Sequence, residues 1–135
     1  DIDYFKKVND TYGHLCGDMV LKEFVECIKS LIRSDMDWLA RYGGEEFLLV
    51  LPETSFQNAS RLAERLRKQI SKKAFKWEGE KIAITASFGV TGFDKISPDE
   101  NFSPDDLIDM ADQYLYQAKN KGRNKVVSGP FLNPD

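Results

Sequence analysis

The stretch Arg41-Tyr42-Gly43-Gly44-Glu45-Glu46-Phe47-Leu48-Leu49-Val50-Leu51 sets two glycines, two adjacent carboxylates and an apolar run in immediate succession. The glycines allow a tight hairpin with positive φ and leave no Cβ to block a ligand approaching the backbone. The run from Phe47 to Leu51 has the composition of a strand buried on both faces. Carboxylates at the mouth of such a strand are costly to keep charged unless they hold a cation or exchange a proton. The stretch therefore predicts a metal-dependent phosphate site on the rim of a sheet. An exposed acidic β-turn is the competing reading.

Around this hairpin the hydrophobic spacing alternates between two periods. Leu21, Phe24, Val25, Ile28, Leu31 and Ile32 recur at helical spacing, with Asp18 at the start of that helix. Ala59, Leu62, Ala63, Leu66 and Ile70 mark a second helix, with Thr54-x-x-Gln57 as a capping box. Leu107, Ala111, Tyr114, Leu115 and Ala118 mark a third, opened by Ser103 and Pro104 and closed by Gly122. Ile82, Ile84, Ala86, Phe88 and Val90 alternate as a strand with one face buried. Glu78-Gly79-Glu80-Lys81 reads as the turn of a hairpin, and Val126-Val127 as a short last strand. Interleaved helices and hairpins predict an α+β sandwich with helices packed on the sheet.

Composition narrows the function classes. With 135 residues, 41% of them hydrophobic, the chain fits one domain with a real core. A net charge of −3 excludes the basic surface of a nucleic-acid binder. Cys16 and Cys27 fit no metal spacing and no disulfide framework, and His14 is the single histidine, which rules out histidine triads and zinc clusters. No run reaches the ~20 apolar residues of a membrane span. No membrane contact and a cytoplasmic location are expected.

Two further motifs flank the hairpin. Asp1-Ile2-Asp3-Tyr4-Phe5-Lys6-Lys7-Val8-Asn9-Asp10-Thr11-Tyr12-Gly13-His14, then Gly17-Asp18, precede it, and Tyr116-Gln117-Ala118-Lys119-Asn120-Lys121-Gly122-Arg123-Asn124 follows. In this order, with Gly43-Gly44-Glu45-Glu46-Phe47, they resemble the GGDEF family of bacterial diguanylate cyclases in its GGEEF variant. The resemblance implies condensation of two GTP molecules into cyclic di-GMP with release of two pyrophosphates. It also implies a ferredoxin-like, palm-type sandwich: a central, mostly antiparallel sheet with helices packed on it. The domain is expected over residues 1–128, without its N-terminal segment, with 129–135 as a fraying tail.

The same resemblance assigns roles. Asp1 and Glu45 are implied metal ligands, joined by the main-chain carbonyl of Ile2, with Mg²⁺ or Mn²⁺ as the ion. Mg²⁺ suits such a set, since it takes one or two carboxylates beside water and phosphate oxygens. Glu46 is the other metal candidate, and either Glu45 or Glu46 helps deprotonate the ribose 3′-hydroxyl. Asp3 is read as structural. Lys6, Phe5, Gly43, Gly44, Lys119 and Arg123 are implied contacts to the substrate, although Lys119 and Arg123 also suit the dipole of a last helical turn. Asn9 and Asp18 are implied guanine readers, with a turn role and an N-cap role as their alternatives. A family product-inhibition motif, Arg-x-x-Asp, falls on Ser34-Asp35-Met36-Asp37: Asp37 is in place, serine stands at the arginine position, and Arg61 and Arg65 match the secondary arginines. Each motif set serves one nucleotide, so a homodimer is expected. A catalytically silent module that binds GTP or cyclic di-GMP is the alternative.

Overall fold

The computed structural model describes residues 1–94 and 101–132. Their elements run α1 (Phe5–Tyr12), α2 (His14–Lys29), β1 (Trp38–Gly43), β2 (Glu46–Val50), α3 (Phe56–Lys72), β3 (Phe75–Trp77), β4 (Glu80–Ile82), β5 (Phe88–Gly92), α4 (Pro104–Asn120) and β6 (Val126–Pro130). The helix periods place the core. Cys16, Val20, Leu21, Phe24 and Ile28 of α2 and Leu66 and Ile70 of α3 close over Ile2, Phe75, Ile82, Ile84 and Ala86. α2 stops at Lys29, so Leu31 and Ile32, expected within it, lie in the turn beyond and are half-buried against the core.

Caps decide the helix ends. α4 opens on the expected Ser103, in a reciprocal capping box with Asp106 and with Pro104 in the first turn. It closes in a Schellman motif: Arg123 N–H bonds Ala118 O at 3.0 Å and Gly122 N–H bonds Lys119 O at 3.4 Å. Gly122 takes φ +112° there, which an L side chain resists. For α3 the cap is shifted by one residue from the expected Thr54. Ser55 accepts from Asn58 N–H, while the Thr54 hydroxyl donates to Pro52 O at 3.0 Å and accepts from Arg33.

The strands form three two-stranded sheets among the described residues, two antiparallel (β1–β2 and β3–β4) and one parallel (β5–β6). Over residues 84–87 the expected strand keeps its alternation, with Ile84 and Ala86 buried, but Ala86 makes only an isolated bridge to Ile2. Main-chain bonds join this stretch to Asp1–Asp3, from Asp3 N–H to Thr85 O and from Ser87 N–H to Asp1 O. β2 also departs from expectation: each of its residues is half-buried instead of buried on both faces. Phe47 and Leu49 turn to the core, Phe47 meeting Phe24 at 5.0 Å between ring centroids. On the other face Val50 pairs with Trp38, which is half exposed. β6 runs through Pro130, and Phe131 N–H bonds Gly92 O at 2.8 Å, so the start of the expected tail is paired; residues 133–135 lie outside the described residues.

Candidate active site

Asp1–Asp3 is threaded between two neighbours. Ile2 N–H donates to the Glu45 carbonyl at 3.2 Å on one side. On the other, Asp3 N–H donates to Thr85 O at 2.9 Å and Ser87 N–H to Asp1 O at 3.0 Å. These main-chain bonds set Asp1 and Ile2 beside the hairpin tip that carries Glu45 and Glu46. Gly44 turns that tip at φ +48°, and Arg41 Nε pins it by donating to Gly44 O at 2.7 Å. A Cβ built on Gly43 or Gly44 would meet nothing within 4 Å, so a ligand can approach the tip closely. Arg41 was not singled out from the sequence; its position two residues before the glycines was the available signal.

The carboxylates of this segment have different surroundings. Asp3 is buried and saturated: Ser87 Oγ donates to Oδ1 at 2.6 Å, and Thr85 Oγ1 and Asn124 N–H donate to Oδ2 at 2.8 and 2.9 Å. It ties three segments together, a structural position. The Asp1 side chain is 6% exposed and takes one bond, from Lys119 Nζ to Oδ2 at 2.9 Å. No turn, loop or side-chain hydrogen bond among the described residues ends on the Ile2 carbonyl. The Asp1 carboxylate, that carbonyl and the Glu45 carboxylate are all oxygen donors, the kind a hard divalent cation takes. No three acidic, histidine or cysteine side chains cluster for a metal among the described residues. Two carboxylates and a carbonyl therefore fit an ion that completes its shell with water and phosphate, and they do not fit a closed protein cage.

Next to this rim α1 begins without a side-chain cap, its N-cap Tyr4 lying in the left-handed region at φ +54°. Free N–H groups and the helix dipole make that end attractive to an anion, and exposed Lys6 adds a charge. The Phe5 side chain lies in the core, so it is not this side chain that meets a ligand. The end of α4 brings the remaining cations. Lys119 reaches Asp1, and Arg123 lies over the Tyr4 ring with its guanidinium carbon 4.6 Å from the centroid. Complementing the α4 dipole alone does not explain two side chains directed at residues 1–4.

Asn9 packs against Gly17, the residue before Asp18. A Cβ at Gly17 would overlap the Asn9 side chain, so α1 and α2 touch here only because residue 17 has none. Asp18 follows it on α2, exposed, with no hydrogen bond or ion pair among the described residues. Since α2 starts at His14 with Gly13 as N-cap, Asp18 lies within the helix and is no cap. Asn9 likewise lies within α1 and is no turn residue.

The Ser34–Asp37 loop is closed by Arg33. Asp37 is buried, and its carboxylate accepts from Arg33 Nε at 3.1 Å, Nη2 at 2.6 Å and the Arg33 main-chain N–H at 2.8 Å. Hydrogen bonding from that guanidinium holds the Asp37 carboxyl below the usual carboxylate range. Arg33 Nη2 continues to Pro52 O at 2.9 Å. Arg61 bonds Asn58 instead, and no hydrogen bond or ion pair joins Asp37 to Arg61 or Arg65 among the described residues.

Comparison with known proteins identifies the family. The family model described as diguanylate cyclase, GGDEF domain, matches residues 1–125. Diguanylate cyclase A of Treponema denticola is 45% identical over 129 residues, covering 93% of this chain and 33% of that protein. The chain thus spans about a third of that relative's length. The crystal structure of diguanylate cyclase SiaD of Pseudomonas aeruginosa, in complex with its activator SiaC, superposes with a TM-score of 0.84 at 40% identity, over 96% of this chain and 47% of that one. The coiled coil and GGDEF domain of DgcB from Caulobacter crescentus, in complex with c-di-GMP, gives 0.83 at 32% identity, over 96% and 66%. The chain belongs to the GGDEF domain family of diguanylate cyclases.

Proposed function

We propose that this chain is the catalytic module of a diguanylate cyclase, joining two GTP into cyclic di-GMP and releasing two pyrophosphates. One observation carries the reading: the Ile2–Glu45 main-chain bond brings the Asp1–Asp3 segment against the Gly43-Gly44-Glu45-Glu46 tip, beside an uncapped helix start and two basic side chains. A family match over residues 1–125 supports it.

Lys6, the first-turn amides of α1, Lys119 and Arg123 hold the triphosphate, and the open glycines Gly43 and Gly44 let it lie against the hairpin. Asp1, Glu45 and the Ile2 carbonyl hold Mg²⁺, for which Mn²⁺ can substitute. When bound, the ion neutralises phosphate charge that would otherwise repel the attacking oxygen. Glu45 or Glu46 takes the proton of the ribose 3′-hydroxyl as that oxygen bonds the α-phosphorus and pyrophosphate leaves. Asn9 and Asp18 read guanine: its N1–H and N2–H₂ donate to the Asp18 carboxylate, whereas adenine presents a lone pair at N1. A mispaired polar group costs about 1–3 kcal/mol, which favours GTP over ATP.

The product contains two reciprocal bonds, and the chain carries one set of these residues. Two copies facing each other across a two-fold axis supply both halves. The cytoplasm, where GTP is made and used, is the proposed location. Incubating the protein with GTP and Mg²⁺ and separating the products tests the reading. Cyclic di-GMP and pyrophosphate are expected, at a rate per chain that rises with protein concentration. GTP binding with no product, at any concentration, would overturn the assignment of an active enzyme.

A further inference from the structure

We infer that Tyr4 is a positioning residue for the phosphate end of the site: its ring is the platform that fixes the guanidinium of Arg123. The inference rests on the cyclase reading for what Arg123 contacts, and on the geometry for how it is held. Tyr4 has φ +54° and ψ +35°, a left-handed conformation that a bulky aromatic residue rarely adopts. As the N-cap of α1 it makes no side-chain cap, so the usual reason for a special residue at this place is missing. Tyr4 is 61% exposed, so core packing does not explain it either. What it does meet is Arg123. The guanidinium carbon lies 4.6 Å from the ring centroid, and Nη1 is 3.5 Å from the Tyr4 hydroxyl.

Arg123 needs such a partner. It follows the Schellman glycine, itself left-handed at φ +63°, and no other side-chain hydrogen bond or ion pair to it is found among the described residues. Without the ring its long side chain would sample many rotamers in water. A ring beneath the guanidinium occupies the face of that group and leaves its N–H groups free apart from the one at the Tyr4 hydroxyl. Those groups are what bond phosphate oxygens in pairs. Lys119, four residues earlier, is held by Asp1 at the same end of α4. Both cations are thus oriented by residues 1–4, one through a charge and one through a π face.

The test measures affinity for 3′-deoxy-GTP with Mg²⁺, an analogue that lacks the attacking hydroxyl and cannot cyclise, bound to the 135-residue chain. Tyr4→Asn removes the ring, while asparagine accepts the left-handed conformation and preserves the fold. It should weaken binding about threefold to tenfold, and Tyr4→Phe should restore it, because the ring and not the hydroxyl carries a cation–π contact. In an Arg123→Ala background Tyr4→Asn should add nothing. Unchanged affinity in Tyr4→Asn, failure of Tyr4→Phe to restore it, or an undiminished loss in the Arg123→Ala background would each overturn the platform and leave the cyclase reading standing. Failure of the unaltered protein to bind the analogue would overturn the cyclase reading and the inference with it.

Discussion

Asp1 and Asp37 each face a basic side chain, and they show two opposite uses of an ion pair. Asp37 is met locally, four residues from Arg33, by two guanidinium nitrogens and a main-chain N–H that together engage both carboxylate oxygens. Asp1 is met by a single ammonium from 118 residues away, on one oxygen only. The first arrangement spends the carboxylate on closing a loop. The second holds it nearly out of solvent with lone pairs still open. What separates a structural acid from one ready for a ligand here is how much accepting capacity remains, more than charge or burial.

Predictions follow from pressing on each side of that contrast. At the open rim, Glu45→Gln keeps shape and removes charge. It should lower cyclic di-GMP formation by at least about 100-fold, with an unchanged melting curve. A folded Glu45→Gln protein that turns over normally would falsify the rim as the working region. Asp18, an exposed acid with no side-chain partner among the described residues, should act on base choice: Asp18→Asn is expected to narrow the preference for GTP over ATP about tenfold, read from competing initial rates.

At the closed loop the effect should fall on stability and leave turnover at neutral pH intact. The Asp37 carboxyl is depressed in the folded chain by Arg33. Its contribution is therefore fully present above the ordinary aspartate value of about 4 and is lost as pH falls through the lower folded value. In Arg33→Met the deficit relative to the unaltered protein should be largest near neutrality and close on acidification. Urea unfolding at a series of pH values checks this; a deficit that grows in acid would show that the loop is held by something else. The smallest effect is expected from Ser34→Arg. Because Arg33 already occupies Asp37, the added arginine should strengthen inhibition by cyclic di-GMP only slightly, measured as the shift in its inhibition curve.

The sequence was most legible where one residue type had one use. The α4 ends follow from Ser103, Pro104 and Gly122, and the three motifs locate the rim and its neighbours. It was less legible where neighbours decide. Leu48 and Val50 read as buried because β-strand composition does not state how many strands lie alongside; the two-stranded pairing leaves them half-covered. Thr54 and Ser55 are equivalent caps by type, and Arg33, from another segment, drew Thr54 away. Tyr4 carried no signal at all, since its partner lies 119 residues on.

That last separation bears on how the molecule is assembled. Asp1 with Lys119, Asp3 with Asn124 and Tyr4 with Arg123 are the side-chain contacts of highest sequence separation among the described residues, and closing loops of this length is what slows folding. During synthesis from the N-terminus, residues 1–4 leave the ribosome early and wait for α4. Until it arrives, the buried Asp1 carboxylate has no cation and Asp3 lacks one of its donors. Nucleotide affinity then appears in one late step with the docking of α4, so a nascent chain stopped before residue 119 should not yet hold GTP.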